Sequence, residues 1–220
     1  MLLQRFIDVG RNTAVILIVL ARAGCAAGGA SRAPEEKSVV RGAAPVVGED
    51  GAIIVPPEVQ TLYEQASAVM AAGDFVDAEL RFKEFLLLYP DYPGAHVNLA
   101  IIYSRNRDDA AARGELDAAL ALNPNNPAAL NQLGMLLRRN GNFLEAEAAY
   151  LKAVTVSPDY ALAHYNLGVL NELYLQRLDV ALSHFEKYQA LVGEDKQVEK
   201  WIADLRRRVA ASQRTANVAD

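Results

Sequence analysis

The sequence predicts an all-α solenoid of about four stacked helix–turn–helix units, closed by one further helix. The first observation behind this is a period of 34. Pro90, Pro124 and Pro158 keep that spacing, as do Leu99, Leu133 and Leu167, then Ala100, Gly134 and Gly168. Ala78, Ala112 and Ala146 keep it too, and so do Phe82, Leu116 and Tyr150; a fixed period of this length marks repeated supersecondary units. The second observation is helical patterning within each unit. In the third, Leu130, Leu133 and Leu137 form one stripe, and Ala146, Tyr150 and Ala153 the facing one. The third is composition: 220 residues, 52% apolar and 22% charged, enough to bury a core. A lone helix pair leaves its apolar faces in water, so the units must stack.

In chain order, residues 1–24 read as an export signal. Arg5 and Arg11 precede the apolar run from Thr13 to Ala21, and small residues follow. That run is far short of the roughly 20 residues a membrane span needs. Residues 25–57 are rich in Gly, Ala and Pro and read as a flexible tether. Within it "GAIIVPP" allows a short extended piece, but its proline pair excludes a central strand. Four units are expected at 59–92, 93–126, 127–160 and 161–192, each bounded by a proline that cannot continue a helix except the last. Gly134 and Ala146 let paired helices approach, and Tyr150 fills the space beside them. "RNGN" around Gly141 supplies a turn, whereas the second unit has Arg107 instead of the turn glycine. In the fourth unit the spacing from Ala146 to Ala181 and from Tyr150 to Phe185 is 35. The extra residue predicts a longer first helix or a wider turn, with Tyr174 or Leu175 at an edge. Residues 195–212 form a capping helix with Val198, Trp201, Ile202, Leu205 and Val209 on one face, and 213–220 are expected to be a disordered tail.

Composition also excludes functions. A net charge of −5 and a pI near 5.3 leave no basic footprint for nucleic acid. The single cysteine, Cys25, cannot form an internal disulfide, and His96, His164 and His184 are too scattered for a metal-ligand spacing. His96 and His164 lie two periods apart in the slot that Leu130 fills, so they read as packing groups; His184 reads as exposed. Glu145 and Glu147 read as solvated charge. No Gly-rich phosphate loop, nucleophile elbow or paired-cysteine motif occurs. The expectation is therefore no catalytic site, no cofactor and no metal.

The period, together with "NQLGMLLRRNGNFLEAEAAYLKAVTVSPDY" and "YNLGVL", resembles the tetratricopeptide repeat. The resemblance implies a right-handed superhelix whose first helices line a concave groove that takes an extended peptide or a partner helix. Counting through the periods, the groove candidates are Tyr63, Ser67 and Met70, then Val97, Ile101 and Arg105. The third unit adds Asn131, Met135, Arg138 and Arg139, and the fourth Tyr165, Val169 and Glu172. Asn131 is suited to a peptide backbone and the arginines to a carboxylate. The Lys, Asn and Arg set with which some family members hold a C-terminal carboxylate is absent, its slots carrying Tyr63, Ser67, Val97 and Ile101. Asn98, Gln132 and Asn166, in one register, read as structural polar groups.

Cys25 follows Ala23 and Gly24 in a stretch that resembles a lipobox, where the cysteine is acylated and becomes the N-terminus. Arg22 departs from that pattern. Ala21, Arg22 and Ala23 also form an A-x-A site, and cleavage there would release a soluble periplasmic protein. Signal, cysteine, tether and repeats together resemble tetratricopeptide lipoproteins that assist assembly of pili, secretion systems or motility complexes. They also resemble repeat lipoproteins of TonB/ExbB-type energy transduction, and a helper of an envelope enzyme complex is a further alternative. The expected location is the outer membrane, through acyl chains on Cys25, facing the periplasm.

Overall fold

The computed structural model describes residues 46–47, 53–54 and 56–219; the expectations for residues 1–24 and for Cys25 lie outside them. Val46–Val47 (β1) and Ile53–Ile54 (β2) pair antiparallel, Val46 opposite Ile54 and Val47 opposite Ile53. Ile53–Ile54 falls in the "GAIIVPP" stretch where a short extended piece is expected, and the β-branched residues of both segments suit a short ladder. Helices follow: α1 (Pro57–Ala71), α2 (Phe75–Leu88), α3 (Pro93–Arg105), α4 (Asp109–Leu122), α5 (Pro127–Arg139), α6 (Phe143–Val156), α7 (Ala161–Leu173), α8 (Leu178–Val192) and α9 (Lys196–Ala219).

Local chemistry sets these boundaries. Pro57, Pro93 and Pro127 stand in the first turn of α1, α3 and α5, where the missing N–H costs nothing. Asp74, Asp108 and Asn126 cap α2, α4 and α5 by accepting from the backbone N–H three residues on, each at 3.0 Å. The turns between paired helices need a left-handed residue, which Gly73 and Gly141 supply at φ 88° and 82°. The second repeat puts Arg107 there at φ 63°, a conformation that costs a residue with a Cβ roughly 1–2 kcal/mol. The residue inserted in the fourth unit widens the turn. α7 keeps the 13-residue length of α3 and α5, and the connection spans Tyr174–Arg177 with Gln176 left-handed. α9 runs to Ala219, so the helix does not end at 212 and the expectation of a disordered 213–220 is corrected: "AASQRTANVA" holds neither Gly nor Pro to stop it.

Each first helix packs antiparallel on its second helix, and each second helix on the next first helix. α3 also packs on α5 and α5 on α7, while the second helices make no comparable contact with one another. The first helices therefore lie on the inner, shorter arc of the stack. Tight fits hold the pairs together. Tyr150 and Phe185 are fully buried, and a Cβ on Gly134 or Gly168 would come within 2.5 Å and 2.7 Å of their rings. Side-chain amides join adjacent repeats in one register: Asn98 donates to the Tyr63 hydroxyl at 3.0 Å and Asn166 to Asn131 Oδ1 at 2.9 Å. At the far end α9 sets Val198, Ile202 and Leu205 against Ala181 and Phe185, with Trp201 beside them.

Candidate protein-binding face

Most of the groove candidates turn out to hold the repeats together. Tyr63 sits in an aromatic cluster with Phe82, Phe85 and Tyr92 at centroid distances of 5.8, 5.9 and 4.9 Å. Met70 packs against the same core, and the Ser67 hydroxyl is buried. Val97 is 5% exposed and Ile101 packs beside it. Asn131 is 0% exposed, taken up by Asn166, with its own amide 3.8 Å from Met135 Sδ. As placed, Val97 and Asn131 offer a ligand no surface, which corrects the groove assignment for both. Position counting placed these residues on the first helices, but adjacent first helices close over the deepest register. Tyr165 packs on Phe185, Tyr188 and Trp201, and Val169 joins that cluster. Glu172 is paired with Arg208 at 2.7 Å.

A second register forms clasps across the repeats. Arg105 lies over the Phe75 ring, 4.1 Å from its centroid. One period on, Arg139 pairs with Asp109 and donates to the Ser104 carbonyl at 2.9 Å. In the fourth repeat, one residue beyond that register, Tyr174 packs on Phe143 at 4.6 Å. Arg105 and Arg139 thus have internal partners, while both remain exposed.

Met135 and Arg138 remain. Met135 is 37% exposed, and both line a recess of about 490 Å³ where the C-terminal ends of α3 and α5 meet the turn after α7. Ser104, Arg107, Gln132, Leu136, Arg139, Gly141, Phe143 and Tyr174 complete its wall, and among the described residues no carboxylate lines it. The Arg138 side chain makes no ion pair or hydrogen bond among the described residues, and its Nη1 is buried. Below it the Tyr150 hydroxyl is also buried without a partner; burial pushes its pKa up to about 12, against the opposing pull of Arg138. In the sequence, Tyr174 reads as an edge residue and Arg107 as a departure from glycine. Nothing in either signal tied them to Arg138, because the recess draws on three repeats.

The histidines share a register. His96 and His164 each meet the carbonyl of the proline six residues earlier, at 3.1 Å. Their partners on the second helices differ: Glu115 lies 2.7 Å from His96, and His184 lies 3.1 Å from His164. His184 is therefore half-buried against a second ring rather than exposed. The Glu115 hydrogen bond raises the pKa of His96. Burial lowers both members of the other pair, with Lys187 adding to the effect at His164 and Glu147 opposing it at His184. A folded pKa below the ordinary 6.5 means that stability is intact above 6.5 and falls as the pH drops through the folded values; His96 acts in the opposite sense, losing its contribution as the pH rises through its raised value. The double variant His164→Leu with His184→Ala restores the Leu130–Ala149 pair of the third repeat. Urea unfolding about one unit above and one unit below pH 6.5 should show the variant gaining on the parent protein at the lower pH.

The described residues hold no group of three or more His, Cys, Asp or Glu able to bind a metal, and no helix long and apolar enough to cross a membrane. Family models described as tetratricopeptide repeat match residues 69–136 and 125–192. Among curated proteins the chain is similar to human protein O-mannosyl-transferase TMTC2, 45% identical over 60 residues. That match covers 27% of this chain and spans 7% of the human protein. Among solved structures it is similar to Pseudomonas aeruginosa pilF, at 25% identity and a TM-score of 0.62, over 70% of this chain and 72% of that one. MamA from Desulfovibrio magneticus RS-1 shares the fold at 18% identity and a TM-score of 0.57, over 74% of this chain and 92% of the other.

Proposed function

Because the chain is built of tetratricopeptide repeats over residues 69–192, we propose that it is a non-enzymatic scaffold of the bacterial envelope. It is moored through acyl chains on Cys25 and holds a protein partner on its inner face during assembly of a pilus, secretion or motility complex. The supporting observation is a combination: a basic and apolar N-terminal stretch followed by a lone cysteine, joined to a repeat stack similar to pilF along most of both chains. Each buried acyl CH₂ contributes about 0.8 kcal/mol, so two or more chains anchor the protein stably. The segment between Cys25 and α1 lets the repeats reach partners away from the bilayer.

The test is mass spectrometry of the mature N-terminus, together with fractionation of a Cys25→Ser variant. An acylated Cys25, and release of the variant from membranes, are expected. A mature N-terminus just after Ala23 would replace mooring with a soluble periplasmic protein, the outcome that the Ala21-Arg22-Ala23 site favours. Retention of the serine variant on membranes would overturn acylation as the anchor.

A further inference from the structure

We propose that the recess over the third repeat binds a carboxylate of a partner polypeptide, with Arg138 and Arg107 as its cations and Met135, Phe143 and Tyr174 as the apolar wall beside it. The inference rests on the protein-binding reading above and names the chemistry of that face.

Arg138, like Arg107, differs from most arginines of the stack. Arg81, Arg113, Arg139, Arg177, Arg206 and Arg208 each face a carboxylate within the chain, and Arg105 covers an aromatic ring. Arg138 has no such partner among the described residues, although it is half-buried and one of its nitrogens is fully so. A guanidinium held in partial burial gains most from a charged acceptor that arrives with a ligand. The chain carries 27 acidic residues, yet none of those among the described residues lines this recess.

Arg107 is an independent observation. The same turn position holds Gly73 in the first repeat and Gly141 in the third. A left-handed arginine is strained where glycine is not, and such strain gathers at working sites. At this turn the strained residue lines the recess, has no ion-pair partner among the described residues, and adds a second positive charge to it.

The surroundings favour a single negative charge flanked by an apolar group. The recess lies at the C-terminal ends of α3 and α5, where the negative helix dipoles oppose any anion and a dianion such as phosphate more than a carboxylate, so the attraction must come from the two guanidiniums. Met135, Leu136, Phe143 and Tyr174 supply apolar surface beside the cations. A carboxylate next to an aliphatic or aromatic side chain matches this, whether it comes from a chain terminus or from an Asp or Glu side chain.

The test uses the full chain, immobilised, and three random hexapeptide libraries: one with free C-termini and no acidic residues, one amidated with a fixed Glu, and one amidated with neither. At least one carboxylate library should be retained about tenfold better than the neutral one, in keeping with a charge-assisted contact. The library retained identifies the source of the carboxylate. Arg138→Gln should abolish the preference. Arg107→Gly should weaken it while thermal stability stays level or rises, a divergence that a purely structural role would not give. Equal retention of all three libraries, or a preference unchanged in Arg138→Gln, would overturn the proposal. So would retention of none, even if the full chain still captures a protein partner on its inner face; that last result would leave the scaffold reading standing.

Discussion

Ending the chain at Gly193 is expected to lower the melting temperature by about 10 °C and to produce a protein that self-associates. α9 buries Val198, Ile202 and Leu205 to 1%, 3% and 0% exposure, and burying side chains of this kind stabilises by roughly 1.5–3 kcal/mol each. Part of that is offset, since the unfolded chain already buries some apolar surface and ordering a helix costs conformational entropy. A net loss of about 3 kcal/mol then corresponds to roughly 2–4 °C per kcal/mol for a chain of this size. The exposed ion pairs Arg206–Glu186 and Arg208–Glu172 add little. Phe185, Tyr165 and Ala181 would be uncovered together as one apolar end, the kind of surface that terminal repeats need capped. Thermal melts followed by circular dichroism, with sedimentation of the native protein, check this. A soluble truncation of equal stability would show that α9 is not a cap.

The architecture was legible because a solenoid writes its core at a fixed spacing. Pro90, Pro124 and Pro158 mark three of the boundaries, and Gly134 with Tyr150 identifies the close approach of α5 and α6. The capping stripe of α9 could be read for the same reason, one apolar face opposite a charged one. Its end could not, since nothing in the last residues marks a stop and helix propensity carried the helix on to Ala219. For the groove candidates, the helix each one sits on was legible and its exposure was not. Counting registers placed Asn131, Val97 and Arg139 on the first helices, but whether such a side chain faces solvent depends on the neighbouring repeat. Asn166 covers Asn131, and Asp109 neutralises Arg139, from 35 and 30 residues away. Arg107 shows the reverse case: a departure from the repeat pattern was visible at once, and its place in the recess beside Arg138 only when the turn of one repeat met elements of two others.

The strongest effect on function is an all-or-none one, and it concerns which face the partner touches. Met135 opens onto the inner face at 37% exposure, while Lys152 is exposed on α6, a second helix on the outer arc. Neither side chain has a hydrogen-bond partner whose loss would unfold the repeat, apart from the long Asn131 contact to the Met135 sulfur. A photo-crosslinking amino acid at either position should therefore leave the stack folded and report only on proximity. Crosslinking in intact cells, with adducts identified by mass spectrometry, tests whether the repeats hold a protein on the arc lined by their first helices. The account predicts a discrete protein adduct from position 135 and none from position 152; adducts from position 152 alone, or from neither position, would contradict it.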